Sequence, residues 1–286
     1  MNLQHENELN IRRNRNMPRR VKRRKKPKMH KLVLLLFIIV CFLGVYMLTG
    51  ARNEAEPTEA FGINQPFQAE RPEEPANDAN LTLRERYNKI VWLDAGHGGI
   101  DGGTDAMFNG NVYFEKDIAL NIVLMVYEMF GHSDSGINVF LSRAGDVCLP
   151  LHDRPVMWND SADLVVSVHV DYYEGPTAHQ VSGIQVNYYG NNTINTGRIN
   201  LSNAQFAQIM QDHLVSETGA RDRRIRGDRG FIVCSRSTMP ALLIETGFMS
   251  NPEELALLVT EEYQRQIATA IYNAIVEAFS HSYAQR

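Results

Sequence analysis

The sequence predicts an α/β fold: a single domain with a largely parallel twisted sheet flanked by helices, preceded by one transmembrane helix. Two observations carry the domain. From Lys89 onward short apolar runs alternate with stretches of helical periodicity, and the alternation continues to Phe279. Strands alternating with helices in this way build a parallel sheet with crossover helices. A third observation carries the span, since Leu32 to Thr49 contains no charged residue.

The elements run in order along the chain. Lys89 to Asp94 (KIVWLD) reads as a short buried strand running into the glycine-rich AGHGGIDGG. The next segment, EKDIALNIVLMVYEMF, places Ile118, Ile122, Met125 and Met129 at helical spacing. Ile137 to Ser142 is a second strand; LHDRPVMWNDSA is partly helical, with Pro155 expected to end or kink it. DLVVSVHV, from Asp163 to Val170, has the valine-rich character of a strand buried on both faces. GIQVNYYG alternates as another strand does. Ser202 with Gln205 forms a capping box for a helix whose inward face is Phe206, Ile209 and Leu214. That helix ends at Thr218-Gly219, where glycine suits a left-handed residue. RGFIVC and ALLIET are expected to be strands, and Asn251-Pro252-Glu253-Glu254 to open a capped helix. The last helix runs from about Glu261 to Phe279 on Ile267, Ile271 and Ile275.

Composition narrows the class. Hydrophobic and charged contents of 44% and 22% are those of a globular chain, and three cysteines exclude a disulfide-stapled miniprotein or Cys-rich zinc module. The net charge of −4 hides an asymmetry: Met1 to Lys31 carries 12 basic residues against Glu6 and Glu8, a charge of +10, leaving −14 for the rest. An 18-residue apolar run is about 27 Å of helix, near the thickness of the hydrocarbon layer. A cleaved signal peptide is the rival, because Thr49-Gly50-Ala51 offers small residues. Its apolar region, however, should be shorter and its basic region less extended. The positive-inside rule keeps the basic tail cytoplasmic and exports the chain beyond the span, giving a single-pass membrane protein. Beside a span, orientation and anionic lipid explain the tail better than nucleic acid does. The expected organisation is a basic tail at 1–31, an anchor at 32–49, a linker at 50–87, a catalytic domain at 88–281 and a tail at 282–286. Prolines 57, 66, 72 and 75 and many acids mark the linker, whose flexible reach is about 35 Å.

Open α/β sheets place ligands at the carboxyl ends of their strands. His97, His169 and Glu245 sit at such ends, and Glu115 opens the helix after the glycine loop. Singly, each has an ordinary structural reading. Together they make a His/Glu/His zinc set with an open position and a spare carboxylate for a general base. There is no H-E-x-x-H, and successive ligands lie 18 and 54 residues apart. The glycine loop matches neither a phosphate loop nor a dinucleotide fingerprint.

LDAGHGGIDGG, FEKDIAL, LSRAGD, ADLVVSVHVD and PALLIETGFMSNPEE occur in this order between Ile90 and Phe279. The domain therefore resembles the zinc-dependent N-acetylmuramoyl-L-alanine amidases of bacterial cell walls. The resemblance implies zinc (Zn2+) on His97, Glu115 and His169, with Glu245 as the catalytic glutamate. It implies hydrolysis of the amide between N-acetylmuramic acid and L-alanine of peptidoglycan. Two departures from the family pattern stand out: Asp171 where asparagine is common, and Thr104 where alanine is frequent. The extra carboxylate of Asp171 is a candidate addition to the metal shell. Two other functions fit the same metal set or fold: a zinc peptidase or deacetylase of the wall, or a non-catalytic wall-binding regulator. A role in cell separation or in spore cortex maturation is open on the sequence. With no wall-binding repeats after the last helix, the anchor and tether are expected to confine activity to wall near the membrane. Arg221, Arg223, Arg224, Arg226 and Arg229 could meet stem-peptide carboxylates, but Asp222 and Asp228 interleave them as in a solvated loop. Cys148 and Cys234 are expected to be free, partly buried thiols, and Trp92 to be core.

Overall fold

In the computed structural model the described residues are 82–190, 199–227 and 230–284. The basic tail, the Leu32–Thr49 span with Cys41, nearly all of the linker, Asp228 and Arg229 lie outside them. Among the described residues no helix is long and apolar enough to cross a membrane.

The chain enters through a single helical turn, α1 (Leu83–Arg86), and then β1 (Ile90–Ala95), every residue of which is buried. A hairpin comes next, β2 (Asp105–Phe108) and β3 (Asn111–Phe114), leading into α2 (Glu115–Gly131) and β4 (Asn138–Leu141). Short α3 (Arg154–Trp158) precedes β5 (Leu164–Asp171) and β6 (Gln185–Tyr188). The rest is α4 (Asn203–Thr218), α5 (Ile232–Ser235), β7 (Ala241–Phe248), α6 (Pro252–Leu258) and α7 (Glu261–Ala284). The five-stranded sheet has the order β4-β1-β5-β7-β6. All neighbours are parallel except β6 against β7, so the sheet is largely parallel as the alternation predicts.

Side-chain alternation gives the sheet two different faces. One packs α2, α4 and α7 through Ile122, Phe206, Met210, Ile267, Ile271 and Ile275 onto Leu93, Val166 and Ile244. Burial explains why α7 tolerates its isoleucines. Each buried Ile is worth about 1.5–3 kcal/mol, against a helix-propensity deficit of about 0.7 kcal/mol or less. The other face carries a smaller cluster of Ile90, Trp92, Val165 and Leu243 under Trp158, Val233 and Met239. It covers only the amino-terminal part of the strands. Further along the same face the strands turn polar.

Several local expectations hold. Ser202 and Gln205 form the capping box, and Asn251 Oδ1 accepts from the backbone N–H groups of Glu253 and Glu254. Phe206 and Leu214 are buried, while Ile209 is only partly covered at the edge of the core. Three features differ from the sequence reading. RGFIVC is not a strand: Ile232–Ser235 forms α5, because β7 already has β5 and β6 on its two sides and Val233 and Cys234 instead cover Trp158. Pro155 does not break a helix but sits in the first turn of α3, where its missing N–H is not needed. The hairpin β2–β3 is an addition; its register joins Phe108 to Asn111 across Asn109-Gly110, both at positive φ (51° and 84°), a two-residue turn.

Gly219 caps α4 at φ 67° with no atom within 4 Å of the position a Cβ would take. Gly219→Ala therefore isolates the backbone term and should lower the unfolding free energy by about 1 kcal/mol. Urea denaturation of the two proteins measures it; an unchanged midpoint would contradict the left-handed cap.

Candidate metal and catalytic site

The site begins where β1 ends. Two buried arginines, Arg143 from the loop after β4 and Arg154 at the start of α3, reach back and hold the chain there. Arg143 donates to the carbonyls of Ala95 (3.0 Å), Gly96 (2.8 Å) and Lys116 (2.7 Å). Arg154 pairs with buried Asp94 and donates to the carbonyls of Ala95 (2.9 Å) and His97 (2.7 Å). Ser167 holds the second Asp94 oxygen at 2.7 Å. With three successive carbonyls taken, the loop turns sharply, and His97 adopts φ 58°, an uncommon conformation for a non-glycine residue. Gly96 must lack a side chain, since a Cβ there would collide with the His169 ring. Lys116 and Asp146 pair at 2.7 Å and tie the far side of the loop through Gly99.

Glu115 opens α2 and is 3% exposed. One carboxylate oxygen lies 2.9 Å from His169 Nδ1 and 3.2 Å from His97 Nε2, and accepts from the Val170 N–H at 3.1 Å. The other accepts from the Thr104 N–H at 2.9 Å and its hydroxyl at 3.3 Å. Burial pushes this carboxyl up, but hydrogen bonds to His169 and His97 and their positive charge outweigh it and hold it far below the usual range. For His97, burial is likewise outweighed by Glu115 and Asp101, so its imidazole is raised. His97 Nδ1 lies 2.9 Å from Asp101, which leaves Nε2 to face Glu115. The donor atoms of His97, Glu115 and His169 all lie within 4.8 Å of one another, as a metal site requires.

Glu245 stands beside this trio. Its Cα pairs with His169 across β5 and β7 and with Gln185 across β7 and β6. Residues in register share a face, so His169, Glu245 and Gln185 form a row at about 4.8 Å spacing on the open face. All four site residues read from the sequence thus meet at one end of the sheet. Asp171 does not belong to the three-residue group; its carboxylate accepts from the Tyr172 N–H at 2.7 Å. Thr104 serves the site by holding Glu115. Arg143 and Arg154 do not stand out in the sequence as site residues, because an arginine in a polar loop carries no sign of being buried. Cys148 and Cys234 are both free; Cys148 is exposed rather than partly buried, and burial pushes the Cys234 thiol up to about 12. Trp92 is core, stacked on Phe140 at 5.6 Å.

An open α/β sheet with a glutamate beside a His/Glu/His cluster that could hold a metal ion has the build of a hydrolase. Known proteins make this specific. The N-acetylmuramoyl-L-alanine amidase family (Amidase_3) matches residues 91–277, and the chain belongs to that family of enzymes. It is 35% identical over 188 residues to the uncharacterized protein YqiI of Bacillus subtilis (strain 168), covering 65% of this chain and 83% of that one. It is 30% identical over 207 residues to the germination-specific N-acetylmuramoyl-L-alanine amidase of the same organism, covering 67% and 80%. A crystal structure of an N-acetylmuramoyl-L-alanine amidase from Clostridium difficile 630 matches with a TM-score of 0.59 at 31% identity, over 67% of this chain and 97% of that one. The α/β sheet flanked by helices is the fold of those enzymes.

Arg154 is 4% exposed and Asp94 0% in their side chains, so removing one partner strands a buried charge. Arg154→Leu should cost about 3–5 kcal/mol in urea denaturation, and the double change with Asp94→Leu less than that. A single-variant loss under about 1 kcal/mol would show that the pair does not hold the loop.

Proposed function

We propose that this chain is a zinc-dependent N-acetylmuramoyl-L-alanine amidase, tethered to the outer side of a bacterial cell membrane by Leu32 to Thr49. The observation that carries the reading is the donor set His97, Glu115 and His169 beside Glu245, in a chain of the amidase family.

The residues present suit zinc. Two imidazole nitrogens and one carboxylate oxygen are a donor set typical of catalytic zinc, leaving a position open. Asp101 on His97 and the backbone N–H of Thr104 on Glu115 are the outer partners that orient such ligands. When bound, zinc supplies Lewis-acid polarisation of the amide carbonyl and acidifies a water molecule.

The chain's own groups do the rest. His97 and His169 would hold the ion through imidazole nitrogens, and Glu115 would bring one negative charge to balance it. Glu245, one strand from His169, takes the proton of the attacking water on its carboxylate. The same carboxyl then returns that proton to the departing nitrogen of L-alanine. The C–N bond breaks, leaving a lactyl carboxylate on the sugar and a free amine on the peptide. Glycan strands stay intact. The negative charge beyond the span and the acidic, proline-containing linker suit a domain reaching from the membrane into the wall.

The test uses purified peptidoglycan, with mass spectrometry of the new ends. Peptides with a free L-alanine amine should appear, disappear on chelation and return with zinc. Glu245→Gln should keep its zinc and lose about 100- to 10,000-fold in rate. A Glu245→Gln protein with full activity would remove that residue from the role; cut glycan or cut peptide cross-links would point to a different bond.

A further inference from the structure

Among the described arginines of residues 221–226, one is set apart by its burial. Residues 221–226 run alongside β6, with bridges from Ile184 to Asp222 and from Asn187 to Arg226. They extend the sheet edge next to the row of His169, Glu245 and Gln185. Arg221, Arg224 and Arg226 are exposed, but Arg223 is half-buried. Its guanidinium lies 4.7 Å from the centre of the Phe248 ring, and Nη1 donates to the Ser182 carbonyl at 3.1 Å. Its Nε is buried without a hydrogen-bond partner, and among the described residues Arg223 forms no ion pair.

The nearby acids are already committed. Asp222 accepts from Gln211 Nε2 at 2.9 Å and from the Arg224 N–H at 2.7 Å. Glu254 accepts from the N–H groups of Gly183 (2.6 Å) and Phe248 (2.8 Å), and the Arg223 charge acts on it without an ion-pair contact. A guanidinium with spare donors, placed over an aromatic ring and held by one carbonyl, is a preorganised carboxylate receptor.

It also lies on the face of the sheet that carries Glu245. The register between β5 and β7 shifts after His169 and Glu245, so that Phe248 pairs with Asp171. One extra residue on β7 brings Phe248 round to the face shared by Asp171, His169 and Glu245. Gln185 links the two positions, since its Nε2 donates to the Arg223 carbonyl at 3.3 Å. Along the sheet, the Arg223 backbone is two strand spacings from β7, about 10 Å. An extended peptide covers about 3.3–3.6 Å per residue.

We infer that Arg223 binds a carboxylate two or three residues into the peptide whose amino end is freed beside Glu245. The peptide leaves the site over Gln185 and the β6 edge, and the sugar lies toward the glycine loop. This rests on the amidase reading above and adds a direction and a charge preference to it.

The experiment uses the full chain in mild detergent with two soluble substrates: an N-acetylmuramoyl tripeptide with free carboxylates, and the same compound with its peptide carboxylates converted to amides. Release of the L-alanine amine gives kcat and KM. The native protein should show a KM about tenfold lower for the carboxylate form, at similar kcat. Arg223→Gln should lose that preference through KM alone, Arg223→Lys should restore part of it, and exposed Arg226→Gln should leave it intact. A native protein that cleaves both forms with equal KM, or an Arg223→Gln protein that still prefers the carboxylate, overturns the subsite. If Arg223→Gln does not fold, the native comparison and Arg223→Lys decide. A native protein that cleaves neither substrate overturns the amidase reading itself, a separate failure.

Discussion

The whole site hangs on the saturation of three backbone carbonyls at the end of one strand. Ala95, Gly96 and His97 leave the sheet with their carbonyls pointing into protein, where an unmet acceptor costs about 1–3 kcal/mol each. Arg143 and Arg154 meet all three, and Asp94 balances the charge of Arg154. Two guanidinium forks thus set the path of the glycine loop. Once the path is set, His97 sits at a positive φ with its ring against that of His169, the centroids 5.1 Å apart. Gly96 and Gly103 must then be bare, since a Cβ on Gly103 would lie 2.6 Å from Glu115.

The sheet contributes a second constraint. Its helix-covered face is apolar from end to end, which holds the domain together. The opposite face is apolar only under Trp158 and α5, and becomes Asp94, Ser167, His169 and Glu245 toward the carboxyl ends of the parallel strands, with Gln185 beside them at the start of antiparallel β6. A period of two along each strand and register between strands suffice to line these residues up. The hydrolytic chemistry therefore needs no special element, only a face that the helices leave open. Stability and reactivity occupy opposite sides of the same five strands.

Much of this is legible in the sequence, for identifiable reasons. His97, His169 and Glu245 each end a run of apolar residues, and Glu115 begins a strongly periodic helix, so element boundaries locate the site. The cap at Ser202 and the stop at Gly219 are equally plain, because single residues decide them. RGFIVC misleads because a short apolar run fits strand or helix equally well, and only the sheet order shows that β7 has no free side for it. The hairpin strands, four residues each, are too short for periodicity, although Asn109-Gly110 is a hairpin turn pair. Arg143 and Arg154 are illegible as structural groups, and the sequence offers Arg223 only as one of five arginines that could meet stem-peptide carboxylates. Their roles come from burial between segments far apart in the chain, which charge alone does not encode.

In the proposed enzyme His97, Glu115 and His169 together hold one zinc ion beside Glu245. Diffraction from zinc-loaded crystals, measured above and below the zinc absorption edge, tests it most directly. One strong anomalous peak is expected, bounded by one nitrogen of each histidine and an oxygen of Glu115, with Asp171 outside the ligand shell and Glu245 facing the open position. A peak held by other residues, or none at this trio in protein that contains stoichiometric zinc and cleaves the wall, would contradict it.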